Sequence, residues 1–163
     1  MRKFSEIYES IWSDMQDRGT EDIDKTEDVF QINNLSPKMM YNYLNERYKP
    51  LTSSNAVDYT ASGYDHYVRV NITDNCTVAV KYEVRRETVI KELKVWFAGF
   101  RVSDDVKAIN QKMKDELKKR YRTEEEVYLF IRPKTGKRTN KVVIDLIDFI
   151  LDNTEDKPII KRR

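Results

Sequence analysis

The sequence contains little cysteine, histidine, glycine or proline. Among 163 residues there are one cysteine, one histidine, four glycines and four prolines. A single cysteine excludes an internal disulfide, and without a second cysteine or a histidine cluster the chain offers no zinc-binding pattern. So few glycines and prolines argue against a linker-dominated chain. We therefore expect one domain, no metal and no cofactor.

Long apolar runs are also lacking. No stretch approaches the roughly 18 consecutive apolar residues that suggest a membrane span. The N-terminal segment is acidic and helical in pattern, which does not fit a signal peptide. The sequence therefore predicts no association with a membrane.

No catalytic arrangement is visible in the sequence. His66 lies at an alternating position of a predicted strand, and no nucleophile or acid stands at a recognisable spacing from it. Cys76 begins a predicted strand. Its thiol is either an inert group packed in the sheet or a reactive thiol. Three carboxylates share one face of the last predicted helix, at Asp145, Asp148 and Asp152. They suit a divalent cation, the solvated edge of a buried helix, or pairing with the lysines of the long helix, here or in a neighbour. Because no catalytic arrangement is recognisable, we predict that the protein is not an enzyme.

Charge is unevenly distributed along the chain. Residues 1–84 hold 9 basic and 14 acidic residues, whereas residues 85–141 hold 17 basic and 9 acidic residues. An acidic first half and a basic middle predict a dipolar surface, which suits head-to-tail self-association or docking to a charged partner. The alternative is that the basic residues form the solvated face of one long helix.

The first 19 residues follow a single amphipathic pattern. The apolar residues at helical spacing are Phe4, Ile7, Tyr8, Ile11, Trp12 and Met15. Acidic residues occupy the other face, and Gly19 suits the end of a helix. Because so short a helix is marginal in water, its apolar stripe needs a surface to cover. We predict either an assembly arm that docks on a neighbouring subunit through Tyr8 and Trp12, or a helix that packs on its own domain.

The pattern after this helix predicts an α+β fold. Ser36 and Pro37 start a second helix, which runs through Tyr48, and residues 51–63 are expected to form a polar loop. Period-2 alternation then predicts a three-stranded antiparallel meander. Its inward residues are expected to be His66, Val68, Val70 and Ile72, then Val78, Val80, Tyr82 and Val84, then Val89, Leu93, Val95 and Phe97.

A helix, a strand and another helix are predicted to complete the domain. Ser103 caps a long helix through Arg122, whose apolar stripe leaves much of its surface in solvent. A strand over residues 127–131 and a turn at Pro133–Gly136 follow. The last helix, at Val142–Leu151, is apolar nearly all round, which predicts burial in this core or in a partner.

The predicted organisation has four parts. They are an amphipathic helix at 1–19, an acidic connector at 20–35, a single α+β domain at 36–153 and a basic tail at 154–163. The meander with helices on one side is typical of an α+β layer arrangement.

Basic residues are concentrated on the long helix and on the loop PKTGKRTNK. They are Lys112, Lys118, Lys119, Arg120 and Arg122, followed by Lys134, Lys137, Arg138 and Lys141. The loop leads into a helix N-terminus, a place that binds phosphate readily. It lacks the first glycine of a Walker motif, so nucleotide hydrolysis is not indicated. We expect these residues to contact a DNA backbone or a neighbouring subunit, or to form an ordinary solvated surface.

Two stretches resemble a known group of proteins. MRKFSEIYESIWSDMQDRG, at the start, and LSPKMMYNYLNERY, at Leu35–Tyr48, are similar to the N-termini of small proteins of crAss-like gut phages of Bacteroidales. The likeness covers about the first third of the chain. It implies a structural protein of a tailed-phage virion, made in the host bacterial cytoplasm.

The resemblance also implies partners. The first expectation is a head–tail connector ring or a tail component that self-associates as a homo-oligomer and docks on portal, ring, tail or capsid proteins. The alternatives are a capsid auxiliary protein and a small nucleic-acid-binding or host-takeover protein.

Overall fold

The computed structural model describes residues 28–98, 102–125 and 128–163. The helices are α1 at 28–33, α2 at Pro37–Arg47, α3 at Asp104–Arg120 and α4 at Asn140–Asn153. The strands are β1 at Tyr48–Pro50, β2 at Val57–Ser62, β3 at Asp65–Thr73, β4 at Cys76–Val84, β5 at Thr88–Phe97, β6 at Arg122–Glu125, β7 at Tyr128–Arg132 and β8 at Ile160–Arg162. The helix predicted for residues 1–19 lies outside these residues.

An antiparallel sheet of six strands, in the order β2-β3-β4-β5-β7-β6, organises the domain. A second sheet contains β1 and β8. The predicted α+β class is confirmed, but the meander has four strands rather than three. β2 pairs with β3 along its whole length, from Val57 opposite Val70 to Ser62 opposite Asp65. The loop predicted at residues 51–63 therefore contains an edge strand.

One face of the six-stranded sheet is buried beneath the helices. Its buried residues are Val68, Val70 and Ile72 of β3, Val78, Val80 and Tyr82 of β4, Leu93, Val95 and Phe97 of β5, and Leu129 and Ile131 of β7. The helix α4 contributes Val143, Ile144, Leu146, Ile147 and Ile150 to the same core. Burial of each such side chain stabilises by about 2 kcal/mol relative to exposure. The last helix is therefore buried in its own domain.

The alternation of inward and outward side chains along β5 shifts by one residue near the start of the strand. Lys81 of β4 lies opposite Glu92, but the next residue, Tyr82, lies opposite Ile90, so one residue of β5 has no partner. An extra residue in one strand exchanges the two faces of that strand. The prediction that Val89 points inward is wrong for this reason. Val89 is 40% exposed, and Ile90 packs against the core instead.

Two segments expected to lie outside the packed fold contribute to its core. Helix α1 occupies residues 28–33, where a flexible connector was predicted, and Ile32 is only 4% exposed. Strand β8 occupies the predicted basic tail and pairs with β1, which places Ile160 opposite Pro50. Ile160 is 1% exposed. Both segments are short, so their apolar residues become buried only through contacts with distant parts of the chain.

Helix α3 ends two residues before the predicted end. Ser103 caps the helix, as predicted, with its hydroxyl accepting from the N–H of Val106. Arg122 begins β6 instead of ending the helix. Because β6 reads RTEE and has no apolar residue, nothing in its composition indicates a strand, and its pairing with β7 creates it.

A buried amide joins three parts of the fold. Asn140, the first residue of α4, is 3% exposed. Its Oδ1 accepts from the hydroxyl of Tyr82 at 2.6 Å. Its Nδ2 donates to the carbonyl oxygens of Ile32 and Leu35, at 2.9 and 3.1 Å. Asn140 thereby links α4 to β4 and to the segment that follows α1, a role that the sequence did not suggest.

Candidate functional site

The two residues with the most reactive side chains lie within strands. The hydroxyl of Tyr59 is 2.6 Å from Nδ1 of His66. Cys76 is 4% exposed, and burial, with a smaller effect of the Asp156 carboxylate, raises the pKa of its thiol. Across residues 28–98, 102–125 and 128–163, no group of three or more histidine, cysteine, aspartate or glutamate residues is arranged to hold a metal ion.

The thiol of Cys76 is expected to be inert in the folded protein. A thiol reacts as its thiolate, and both burial and a raised pKa keep the thiolate scarce. We expect labelling by a disulfide reagent such as DTNB to be slow in native buffer and complete in seconds in urea. The absorbance of the released thiolate measures both rates. Rapid labelling without urea would contradict the buried position.

The three aspartates of α4 form ion pairs. Their partners are Lys141 for Asp145, Arg47 for Asp148 and Arg162 for Asp152. Since Arg47 ends α2 and Arg162 lies in β8, these pairs join α4 to both elements. The ion pairs shown for the three aspartates are with these residues, and pairing with the lysines of α3, in this chain or in a neighbour, stays a prediction.

Several predicted basic residues meet at one end of the domain. Arg122 begins β6 directly after α3, and Arg132 lies opposite it at the end of β7. Lys134, two residues further on, donates from its ammonium group to the carbonyl oxygen of Lys119. We call this surface the basic end. It comprises Lys119, Arg122, Arg132, Lys134, Lys137 and Arg138.

The other predicted basic residues have different surroundings. Lys112 pairs with Glu155, and Lys141 donates to Asp145 on its own helix. The guanidinium of Arg120 lies over a ring of α4, 4.6 Å from the ring centroid of Phe149. Lys118 is partly buried in the last turn of α3, and Lys119 is also within 3.5 Å of Glu116. The structure therefore places only part of the predicted set at the basic end.

Like charges are close together at the basic end. Arg122 and Arg132 are directly opposite each other on neighbouring strands, an unfavourable arrangement for like charges. Arg138 donates from Nε to the carbonyl oxygen of Ile131 at 3.0 Å and from Nη1 to that of Lys91 at 3.2 Å. Burial lowers the pKa of Arg138, and the charge of Arg132 lowers it further.

No described carboxylate lies within ion-pair distance of these arginines. In the part of the chain that the structure describes, the ion pairs within 4 Å involve other cations, and none neutralises Arg122, Arg132 or Arg138. The three arginines line two adjoining depressions, of about 890 and 430 Å³. Glutamates line these depressions too, at Glu87, Glu92 and Glu124.

The N-terminus of α4 borders the larger depression but already has partners. The amide N–H of Lys141 donates to Oδ1 of Asn33 at 2.9 Å, and that of Val142 donates to Oγ1 of Thr139 at 3.3 Å. Two of the amides that a helix N-terminus offers to an anion are therefore occupied. The arginines, rather than the helix end, are therefore the groups of this surface that could contact an anion.

A second candidate surface is the sheet face that points away from the described helices. Trp96 lies opposite Tyr128, and Lys94 lies opposite Phe130. The Lys94 ammonium is 4.6 Å from the ring centroid of Tyr128, within reach of a cation–π interaction. We call this surface the open sheet face. It comprises Tyr67, Arg69, Lys81, Lys94, Trp96, Tyr128 and Phe130.

The open sheet face combines aromatic rings with charges of both signs, because Asp58, Glu92 and Glu124 lie opposite Arg69, Lys81 and Phe130. Its four aromatic side chains are only partly buried, although they alternate with fully buried core residues along their strands. Lys81 lies over the ring of Tyr67, at 5.9 Å. In the sequence, the apolar residues on both faces of β7 are typical of a strand that is central in the sheet or that lies at a subunit boundary, and β7 lies between β5 and β6. The contribution of Trp96 was missed because only the inward residues of β5 were assigned.

Within the described ranges, no helix is long and apolar enough to span a membrane. Comparison with protein-family models, with curated proteins and with solved structures gives no significant match.

Proposed function

We propose that the protein is a non-enzymatic structural component of a tailed-phage virion, a head–tail connector ring or a tail component, that acts by self-association. The observation that supports self-association best is the open sheet face, where partly buried aromatic rings alternate with lysine and arginine. Tyrosine, tryptophan and arginine are the residues that dominate the energy of protein interfaces. The resemblance of the N-terminal third to phage proteins supports the virion assignment.

The chain carries a segment that complements this face. Residues 1–19 contain an apolar stripe with Tyr8 and Trp12, and residues 1–27 hold eight acidic and four basic residues. The open sheet face offers aromatic contacts and the cations Arg69, Lys81 and Lys94, two of which lie opposite the acidic residues Asp58 and Glu92. Opposite charges across an interface favour encounter and fix the register of the two surfaces. We propose that residues 1–19 of one copy dock on the open sheet face of the next.

The position of Asp28 favours docking of residues 1–19 on the open sheet face of a neighbour rather than on that of the same chain. Burial raises the pKa of Asp28, and the nearby charges of Lys141 and Arg47 oppose that rise. Asp28 is therefore close to α2 and α4, on the side of the sheet opposite the open face. Residues 20–27 span at most about 28 Å when fully extended. A path in the same chain would have to pass around the edge of the sheet within that length.

Substitution of Trp96 by alanine is expected to weaken self-association at least tenfold, about 1.4 kcal/mol, because a central aromatic contact is lost. The measurement is sedimentation equilibrium of the full chain over a range of concentrations. Tyr64→Ala is the matched control, since Tyr64 is an aromatic residue, 61% exposed, at the β2–β3 turn. Equal effects of the two substitutions would contradict the assignment of the open sheet face.

Removal of residues 1–19 separates the two modes of docking. If the segment docks on a neighbour, the shortened chain is a stable monomer with an unchanged free energy of unfolding. If the segment folds back on its own domain, the deletion lowers that free energy. A full-length protein that remains monomeric at all concentrations would overturn the proposal of self-association.

The place in the virion is tested by counting copies in purified particles with quantitative mass spectrometry. On the order of a dozen copies are expected for a ring with closed cyclic symmetry. Hundreds of copies would instead support the capsid auxiliary alternative. Absence from the particles would overturn the virion assignment.

A further inference from the structure

The arginines of the basic end are arranged in a way that an anion would relieve. Arg122 and Arg132 face each other across two strands, and Arg138 is held beside them by bonds to carbonyl oxygens. None of the three has a described carboxylate within ion-pair distance. A folded chain tolerates such mutual repulsion, but a bound anion would replace it with attraction. The guanidinium groups of Arg122 and Arg132 can each donate two parallel hydrogen bonds to phosphate oxygens.

The shape of the basic end fits a row of anions better than a single one. The same three arginines line both depressions, about 890 and 430 Å³ in volume, so the two depressions adjoin along these side chains. Lys137 extends the positive surface along the loop before α4, and Lys134 extends it to the end of α3. A polymer of phosphates can contact the whole strip, whereas one phosphate cannot.

The lining of the larger depression favours contact with a backbone over contact with unpaired bases. Tyr82 is the ring that lines it among the described residues, and this ring is buried, with its hydroxyl bound to Asn140. Proteins that hold single strands stack the bases on accessible aromatic rings. Phe130 lines only the smaller depression. The larger depression thus offers guanidinium and ammonium groups without an accessible ring, which matches the backbone of a duplex.

We infer that the basic end binds double-stranded DNA through its phosphates, without reading base sequence. The basic end adjoins the open sheet face at Phe130, which lines the smaller depression, but its arginines are distinct from the residues that we assign to self-association. A virion protein beside packaged DNA would use such a surface, yet the inference stands on the basic end alone.

The test is fluorescence anisotropy of a labelled duplex of about 20 base pairs with the full-length protein, titrated at several salt concentrations between about 50 and 200 mM. We expect the affinity to fall steeply with salt, since each neutralised phosphate contributes about −0.9 to the slope of log K against log salt. The double substitution Arg122→Gln and Arg132→Gln is expected to weaken binding about tenfold at low salt and to make the slope shallower by about two.

Two further variants make the test specific. Lys107→Gln with Lys49→Gln removes the same charge from exposed positions that do not line either depression, and it is expected to change the affinity less than about twofold. Arg122→Lys with Arg132→Lys keeps the charge and is expected to retain the salt dependence. Circular dichroism confirms that each variant is folded. Equal losses of DNA affinity for the double substitution of Arg122 and Arg132 by glutamine and for that of Lys107 and Lys49 would overturn the assignment to the basic end.

The alternative ligands are separate arms of the same experiment. A duplex of unrelated sequence is expected to bind equally well, and a single strand of the same length more weakly. Tighter binding of the single strand would overturn the duplex assignment. If a synthetic peptide of residues 1–19 binds the basic end more tightly than the duplex does, the surface is a protein-docking site and the inference is wrong. No binding at the lowest salt would overturn it as well.

Discussion

Replacement of Asn140 by alanine is expected to lower the free energy of unfolding by about 3 kcal/mol. The amide is nearly inaccessible to water, and it bonds to Tyr82, Ile32 and Leu35 at once. Alanine would leave a buried hydroxyl and two carbonyl groups without these bonds, and each unsatisfied buried group is costly. The measurement is equilibrium unfolding in urea, followed by circular dichroism.

Two comparisons define what this result means. Asn153→Ala removes an amide from the exposed end of the same helix, where its Nδ2 donates only to the carbonyl oxygen of Phe149, and it should cost less than about 0.5 kcal/mol. Tyr82→Phe removes the hydroxyl alone and should cost about 1 kcal/mol. A loss for Asn140→Ala no larger than that for Asn153→Ala would show that the amide does not join the three segments.

Replacement of Asp148 by alanine is expected to cost about 2 kcal/mol, between the values for exposed and buried ion pairs. Its carboxylate accepts from Nη2 of Arg47 at 2.5 Å and from the hydroxyl of Tyr48 at 2.6 Å. Burial lowers the pKa of Arg47, but its bonds with Asp148 and Tyr48 outweigh this effect and raise it. Alanine would leave a half-buried guanidinium without its anion.

The control for Asp148 lies one turn earlier on α4. Asp145 pairs with Lys141 on the same helix at 2.6 Å, and both side chains are well exposed. Asp145→Ala should therefore cost about 0.3 kcal/mol, the value of a pair four residues apart on a helix surface. Asp148→Asn, which keeps the shape without the charge, should fall between the two alanine variants. Similar losses for Asp145→Ala and Asp148→Ala would contradict the role of Asp148 in joining α2 to α4.

The sequence predicted the elements whose burial follows from local pattern. Helix α2 begins at its serine cap and first-turn proline, and β3 and β4 alternate as expected because their apolar residues are mainly β-branched and face one core. Helix α4 was recognised by its nearly continuous apolar surface. In each case a single stretch of the chain contains the whole signal.

The elements that were missed depend on partners far away in sequence. Strand β6 has no apolar residue, and β1 and β8 have three residues each, so pairing alone makes them strands. Strand β2 lies at an edge and is largely exposed, which weakens its alternation. The position of Val89 was wrong because a one-residue shift in register cannot be seen in a pattern of period two.

The sequence predicted many of the residues that form the candidate surfaces, but not which of them lie together in space. The basic residues of α3 and of the loop before α4 were identified one by one. Their meeting depends on the β6–β7 pair, which sets Arg122 beside Arg132, and Arg132 itself was not singled out. The open sheet face follows from knowing which side of the sheet the helices cover, and composition does not contain that information.

The pairing of β1 with β8 has a consequence for folding during synthesis on the ribosome. It joins Tyr48 to Arg162, and α4, which covers the sheet, is also among the later segments to be made. While the ribosome is still adding these residues, the meander has only part of its helical cover, and its apolar face meets water. Contacts between residues so distant in sequence form slowly, and partly folded sheets with exposed apolar surface aggregate readily. We therefore expect the dependence on chaperones to be greatest while the chain is still being synthesised, before β8 is complete.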